Sequence, residues 1–263
     1  MRNVSSSLMV SAMVAPLAMK VEAFPEDGLV LHLNFDQKMI QGKTAKDLSK
    51  KANHGIINGG ATVVEGKFGE ALEFDGKDDF VEVPLKPSIT FSKGDSLTVQ
   101  AWVKTDDKPP KNDGIVGNYR TSTDAVWLLS LSGDNAAERG KVRFRLRDEG
   151  RANSVDINST DFLNDDEWHH LAFVRDQKAK KARFYVDGTL ISEKDDKTQE
   201  INSGQSIWVG EYLKRYYKGL IDEVKIWNRA LSAAELDQSR SGVVAIDAWS
   251  KLATSWGLIK IRY

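Results

Sequence analysis

The chain has 263 residues, of which 37 are basic and 38 acidic, so its formal net charge is −1, and it contains no cysteine. The absence of cysteine excludes disulfides, a thiolate metal site and a cysteine nucleophile, and the balanced charge gives no support for nucleic-acid binding or electrostatic attachment to a membrane. A hydrophobic content of 41% is ordinary for a globular protein of this length with a sizeable core.

The first 23 residues differ in composition from the rest of the chain. Arg2 precedes an apolar, small-residue run from Leu8 to Met19, and Val21 and Ala23 have the spacing of a cleavage site after Ala23. This pattern predicts a secretory signal over residues 1–23 and a secreted or cell-envelope protein; a disordered tail is the alternative. The run is too short and too interrupted to span a membrane, so we expect no membrane insertion.

Short segments of alternating apolar and polar residues follow, separated by turn residues. At 96–105, Leu97, Val99 and Val103 face one way and Trp102 the other, which is typical of a half-buried strand. The polar stretch 37–55 predicts a loop. The predicted strands are 29–35, 56–57, 61–64, 71–75, 80–83, 96–105, 114–119, 126–131, 141–147, 154–157, 206–210 and 219–228.

The segment 167–192 predicts two strands followed by a tight hairpin. We expect Trp168 and the alternating apolar residues after it to enter the core. Asp187 and Gly188 stand between alternating apolar residues, and this pair predicts a two-residue turn because such turns need residues that tolerate positive φ.

The residues that follow the last predicted strand predict a single short helix. Ser232 and Glu235 have the spacing of a capping box and predict a helix over 233–240. About a dozen strands and one helix, without βαβ alternation, indicate an all-β sandwich of antiparallel sheets.

Five blocks in this order resemble the laminin-G-like, pentraxin-related domains of the concanavalin A-like lectin/glucanase superfamily. They are LVLHLNFD at 29–36, ALEFDGKDDFVEVP at 71–84, SLTVQAWVK at 96–104, EWHHLAFVRDQKAKKARFYVDG at 167–188 and GLIDEVKIWNRALSAAEL at 219–236. The resemblance implies a two-sheet antiparallel jelly-roll sandwich with one short C-terminal helix, spanning residues 24–240. It also implies a mostly non-catalytic secreted or surface module that binds glycans or other proteins, and many such modules hold calcium. The tail, residues 241–263, lies outside the matching blocks.

Three aspartates are candidate calcium ligands, because calcium prefers carboxylate and carbonyl oxygens. Asp36 ends the first strand, Asp75 ends another, and Asp222 lies near the last strand. A jelly roll brings its first and last strands together, so we expect Asp36 and Asp222 to converge. The alternative is that these residues only hydrogen-bond the local backbone, as strand-end aspartates often do.

The sequence favours a binding protein over an enzyme. Glycosidases of the same superfamily carry Glu-x-Asp-x-x-Glu on one strand and need two carboxyl groups at the glycosidic bond. The nearest approach is Glu73, Asp75 and Asp78, in which the last position differs and Gly76 interrupts the strand. We therefore expect no catalytic residues.

Two groups of residues are candidate ligand contacts. Arg143, Arg145 and Arg147 lie on one face of a predicted strand, where their guanidinium groups suit an anionic or sulphated glycan, with Trp127 or Tyr119 as aromatic neighbours. The alternative is a solvated face balanced by nearby acids. Tyr212 and Tyr216 form the second group, and they either stack on a ligand or close the end of the sandwich.

The leading hypothesis is a non-catalytic secreted or surface module that recognises a glycan or an extracellular protein, with structural calcium. A structural adhesion or assembly module with a protein partner is the alternative. A glycoside hydrolase of the same fold is the third candidate.

Overall fold

The computed structural model describes residues 24–118, 125–202 and 204–241. The predicted secretory signal and almost all of the tail therefore lie outside the described residues, as does Tyr119. The strands, in chain order, are β1 (Leu29–Leu33), β2 (Ile40–Gln41), β3 (Thr44–Ala45), β4 (Gly55–Asn58), β5 (Thr62–Glu65), β6 (Glu70–Asp75), β7 (Phe80–Val83), β8 (Leu97–Lys104), β9 (Asp113–Gly117), β10 (Val126–Leu131), β11 (Val142–Arg147), β12 (Ser154–Asn158), β13 (His169–Asp176), β14 (Lys181–Val186), β15 (Thr189–Asp195), β16 (Ile207–Val209), β17 (Glu211–Tyr212), β18 (Arg215–Tyr216) and β19 (Lys218–Trp227).

One α-helix and four short 3₁₀ helices complete the described elements. The α-helix is α1 (Ala233–Arg240), and the 3₁₀ helices are Gln37–Met39, Pro87–Ile89, Ala136–Glu138 and Glu149–Arg151. Ser232 caps α1 through the predicted capping box with Glu235. Within the described part of the chain, no helix is long and apolar enough to cross a membrane.

The strands form two large antiparallel sheets that pack face to face. The first sheet has the order β15-β14-β13-β8-β19-β6-β5, with β1 also paired to β19. The second has the order β12-β11-β10-β9-β16-β7-β4-β3-β2, and β17 and β18 form a separate hairpin. The pairing of β1 with β19 is antiparallel and joins the two ends of the fold. The predicted two-sheet jelly roll is confirmed.

The core lies between the inner faces of the two sheets. Phe144 on β11 and Phe173 on β13 stack there, and both are fully buried. Leu31, Phe74 and Val99 belong to the same continuous cluster. Each fully buried side chain of this size contributes about 1.5–3 kcal/mol relative to exposure, so this cluster is the main stabilising feature of the sandwich.

The outer face of the first sheet is also covered. Trp227, Leu231 and Leu236 form a second apolar cluster with Phe24 packed against it. The Trp227 indole N–H donates to the carbonyl of Pro25 at 2.7 Å, which fixes the start of the described chain to the last strand.

The hairpin after β14 forms as predicted. Asp187 and Gly188 have φ of 51° and 83°, the positive values that a two-residue turn of this type requires. The prediction for Trp168 was wrong, because it is only half-buried and lies just before β13. The tryptophan that packs against His170 is Trp102, with ring centroids 5.3 Å apart.

Two segments that were not predicted as strands contain short ones. Residues 37–55 include β2 and β3, which extend the edge of the second sheet. The segment 211–216 forms the β17–β18 hairpin. Strands of two residues are too short for alternation to reveal them, so only their pairing partners identify them.

Candidate functional site

A cleft of about 470 Å³ lies at one end of the sandwich, where three connecting segments meet. We call it the end cleft. Its walls come from the β6–β7 turn, the loop before β9 and the turn between β17 and β18. Of the sequence-predicted site residues, Asp75 and Tyr216 both line it, and Asp113 at the start of β9 joins them.

Local backbone geometry shapes the wall contributed by the β17–β18 turn. Leu213 and Lys214 have φ of 52° and 57°, and the Lys214 N–H donates to a carboxylate oxygen of Glu211 at 2.9 Å. The β6–β7 turn also contains a positive φ, 80° at Gly76, a value that glycine adopts without steric cost.

Asp113 was not singled out by the sequence, and its environment is unusual. Its side chain is buried, with the residue 8% exposed. It makes no side-chain hydrogen bond or ion pair with any residue that the structure describes. Burial, together with the nearby Asp107 and Asp134 carboxylates, raises the pKa of Asp113 to about 7, and the charge of Arg215 opposes this shift.

Aromatic and cationic side chains line the same cleft as this carboxylate. Tyr216 lines the cleft, and its ring stacks on Phe80 with ring centroids 6.3 Å apart. Lys111 and Lys214 line the cleft and are exposed. Among the described residues, neither ammonium group has an ion-pair partner. Sugars, which combine C–H faces with hydroxyl groups, match such a mixture of surfaces.

The other cations near the cleft are already paired. Lys77 lies 2.9 Å from Asp75, and Arg215 lies 3.4 Å from Asp134 and 5.4 Å from the Tyr212 ring centroid. Tyr212 itself is buried and packs with the outer-face cluster of the second sheet. Of the two predicted tyrosines, only Tyr216 therefore lines the cleft.

Asp36 and Asp222 lie elsewhere in the fold, where both accept hydrogen bonds from the backbone of residues 68–70. The N–H of Glu70 donates to Asp36 at 3.1 Å, and the N–H of Phe68 donates to Asp222 at 3.0 Å. Asp222 is fully buried, and its second carboxylate oxygen has no partner in the described structure. Burial raises the pKa of Asp222 to about 7.

The structure does not bring Asp75 to this pair. Asp75 ends β6 five residues after Glu70, which places it roughly 16 Å along the strand. It instead lies with Asp78 and Asp79, and the ligand atoms of these three are within 4.8 Å of one another. Asp79 accepts hydrogen bonds from the N–H groups of Gly60 and Asp75, so this cluster organises turns.

The arginine ribbon lies on the outer face of the second sheet, between β10 and β12. Arg143 and Arg145 share one oxygen of Asp156, at 2.7 Å and 3.0 Å. Arg147 is half-buried beside them. Trp127 was expected to border the ribbon, but this expectation was wrong because Trp127 is 1% exposed and faces the core.

The paired histidines have structural contacts. His169 lies 2.9 Å from Asp187 and 3.0 Å from Asp165, and these hydrogen bonds raise its pKa. His170 is buried on the opposite side of β13, near Gln100. The two rings therefore do not converge on one ion.

Comparison with known proteins agrees with this architecture. A model of the "Concanavalin A-like lectin/glucanases superfamily" matches residues 75–237, and the chain belongs to that superfamily. No curated protein matches the chain.

Three solved structures have the same fold. The binding domain of Paraclostridial Mosquitocidal Protein 1 is 20% identical with a TM-score of 0.64, over 81% of this chain and 51% of that domain. Domain 4 of AbnA, a GH43 extracellular arabinanase from Geobacillus stearothermophilus solved with arabinotriose, is 20% identical with a TM-score of 0.62, over 80% and 98%. The receptor binding domain of botulinum neurotoxin D is 15% identical with a TM-score of 0.62, over 82% and 53%. The chain thus spans about half the length of the two toxin domains, and these likenesses show the fold alone.

Proposed function

We propose that the domain is a non-catalytic module that binds carbohydrate outside the cell. The observation that carries the proposal is the end cleft. It combines the Tyr216 ring with a buried carboxylate and two ammonium groups that have no partner among the described residues. Its volume of about 470 Å³ lies in the range of small-ligand sites. Tyr216 supplies a face for sugar C–H groups, while Asp113 and the lysines supply an acceptor and donors for hydroxyl groups.

The comparisons support a binding role. One domain of the same fold was solved with arabinotriose, and others are receptor-binding domains of toxins. The first belongs to an extracellular enzyme, and residues 1–23 carry the pattern of a secretory signal, so we infer a secreted or surface location. An extracellular protein is the alternative partner.

The absence of catalysis is part of the proposal. A glycosidase needs two carboxyl groups at the bond, one of them protonated near neutral pH. Glu73 and Asp75 are exposed, and hydrogen bonds from Lys77 lower the pKa of Asp75. Asp113 in the same cleft has a raised pKa, so hydrolysis is the competing activity. A reducing-sugar assay on every glycan that binds distinguishes the two.

A glycan array probed with the full chain tests the proposal. Replacing Tyr216 with Ala removes the stacking face and should weaken binding about 2- to 10-fold, since such contacts contribute about 0.5–1.5 kcal/mol. Phe162→Ala is the matched control, because Phe162 is 53% exposed and does not line the end cleft. The proposal fails if no glycan binds. Equal losses for both variants would place binding elsewhere.

We also propose that calcium stabilises the domain, with Asp36 and Asp222 as carboxylate ligands. The donor set fits, because both are hard oxygen ligands and the free oxygen of Asp222 is buried without a partner in the described structure. Close approach at Asp36 requires Gly69, where a Cβ atom would lie 2.5 Å from the Asp36 carboxylate. Bound calcium would neutralise the buried Asp222 charge.

Thermal unfolding with calcium and with EDTA tests this part. Calcium at 100 times its dissociation constant adds about 2.7 kcal/mol, so Tm should rise for the wild type and not for Asp222→Asn. Asp78→Asn tests the other group of carboxylates, the turn cluster with Asp75 and Asp79, and should leave the calcium shift unchanged. No Tm shift, together with no metal by elemental analysis, would exclude calcium.

The arginine ribbon is a second proposed contact surface, for sulphated glycans. One Asp156 oxygen serves both Arg143 and Arg145, which leaves further guanidinium N–H groups for an oxyanion. The double variant Arg143→Ala/Arg145→Ala should elute earlier from a heparin column. Unchanged elution would show that Asp156 already balances this face.

A further inference from the structure

Buried aspartates of this protein follow a common pattern, from which Asp113 departs. The described residues include six buried aspartates. Four of them each accept at least two hydrogen bonds from nearby donors, and these are Asp47, Asp79, Asp148 and Asp196. Asp222 accepts one, and Asp113 accepts none.

An unpartnered buried carboxylate is unfavourable, because its desolvation is not compensated. Of the charged groups that the structure describes near Asp113, only Arg215 offsets this cost in part. Asp107 and Asp134 carry the same charge, and Arg215 is engaged by Asp134 and by the Tyr212 ring. The acceptor oxygens of Asp113 therefore remain free at the lining of an open cleft.

We propose that Asp113 binds a sugar unit in the end cleft by accepting hydrogen bonds from two neighbouring hydroxyl groups, a vicinal diol. The two oxygens of one carboxylate match two adjacent hydroxyl donors in spacing and in polarity. This inference rests on the proposed carbohydrate-binding function. It adds the chemical group that is recognised and the residue that recognises it.

A metal ion is a poorer match for Asp113. In the described part of the chain, Asp113 belongs to no group of three converging ligand residues. Five cationic side chains line the same cleft, and these are Lys77, Lys111, Lys214, Arg215 and Lys218. They outnumber the three described carboxylates of the lining, Asp75, Asp107 and Asp113, so the cleft disfavours a metal ion or an amine. Lys111 and Lys214 can donate hydrogen bonds to the oxygens of a sugar.

The acceptor role has a consequence for pH dependence. A protonated Asp113 keeps one acceptor oxygen fewer than the carboxylate and no charge, so it binds a diol more weakly. Burial raises the pKa of Asp113 to about 7. Binding should therefore weaken as pH falls through this value.

The test applies the 263-residue chain to two glycan arrays. One array carries native glycans, and the other carries the same glycans after periodate oxidation and borohydride reduction. Periodate cleaves the C–C bond of vicinal diols, and reduction converts the resulting aldehydes to alcohols. The variants are Asp113→Asn and, as control, Asp78→Asn, an exposed carboxylate outside the cleft lining.

We expect the wild type to lose binding to the treated glycans. Asp113→Asn should bind native glycans at least about 10-fold more weakly than the wild type does, as expected for the loss of a hydrogen bond to a charged group. Asp78→Asn should match the wild type, and only the wild type and this control should lose affinity at low pH. Binding that survives periodate or Asp113→Asn overturns this inference and leaves carbohydrate binding intact. Absence of binding to any native glycan overturns both.

Discussion

Replacing Asp113 with Asn should stabilise the protein above neutral pH. In the folded chain the pKa of Asp113 is raised from 3.8 to about 7 by burial. The folded state therefore holds this proton more tightly than the unfolded chain does. The stability that protonation contributes is present at low pH and is lost as pH rises from the unfolded to the folded pKa.

The size of this stabilisation follows from the same pKa shift. A difference of about 3 pKa units at about 1.4 kcal/mol each sets an upper bound of about 4 kcal/mol on the penalty for the ionised Asp113. The asparagine amide is as polar as the protonated carboxyl group that it replaces, so the substitution should change the free energy of unfolding little near pH 4. We therefore expect Asp113→Asn to raise the free energy of unfolding by up to about 4 kcal/mol near pH 8.

Urea unfolding followed by tryptophan fluorescence measures this difference at both pH values. Other titrating groups cancel when the variant is compared with the wild type at one pH. If Asp113→Asn destabilises the protein equally at both pH values, Asp113 has a structural partner or is hydrated, and the reasoning is refuted. Stabilisation together with lost binding would show a functional residue retained at a stability cost.

Two further predictions concern stability. Arg175 is fully buried, lies 3.0 Å from Asp196 and donates to the carbonyl of Asp95 at 2.9 Å. Arg175→Met should lower the free energy of unfolding in urea by about 3–5 kcal/mol, because it leaves the buried Asp196 charge unpaired. The control Arg183→Met, at a partly exposed arginine, should lower it by about 1 kcal/mol or less. Asp187 and Asp165 raise the pKa of His169 in the folded protein. The stability that this interaction contributes is therefore complete below the pKa of the unfolded state, and it is lost as pH rises through the pKa of the folded state. His169→Gln should therefore lower Tm more in acid than in alkali, and an equal loss at both would contradict this.

The extracellular binding role and the competing hydrolase role differ in what happens to Asp113. A binding module needs it ionised as an acceptor, whereas a general acid must be protonated. Binding that strengthens as pH rises, without release of reducing ends, agrees with the first role. Turnover that falls as pH rises agrees with the second.

Several features of this protein were determined by the sequence alone, because they depend on neighbouring residues. Alternation of apolar residues predicted most strands within a few positions, since successive side chains of a strand point to opposite faces. Asp187 and Gly188 predicted their turn, and Ser232 and Glu235 predicted their helix cap. Each of these depends on interactions within about four residues, so each is legible in a local window.

The sites were decided by the tertiary structure, because they join distant parts of the chain. Phe68 and Asp222 are 154 positions apart where they form a hydrogen bond, and Asp75 shares a cleft with Tyr216 rather than a site with Asp36. Asp113 looks ordinary in sequence, since an aspartate at the start of a strand is common. What distinguishes it is burial without a hydrogen-bond donor in the described part of the chain, and that depends on which loops the packed sheets bring around it.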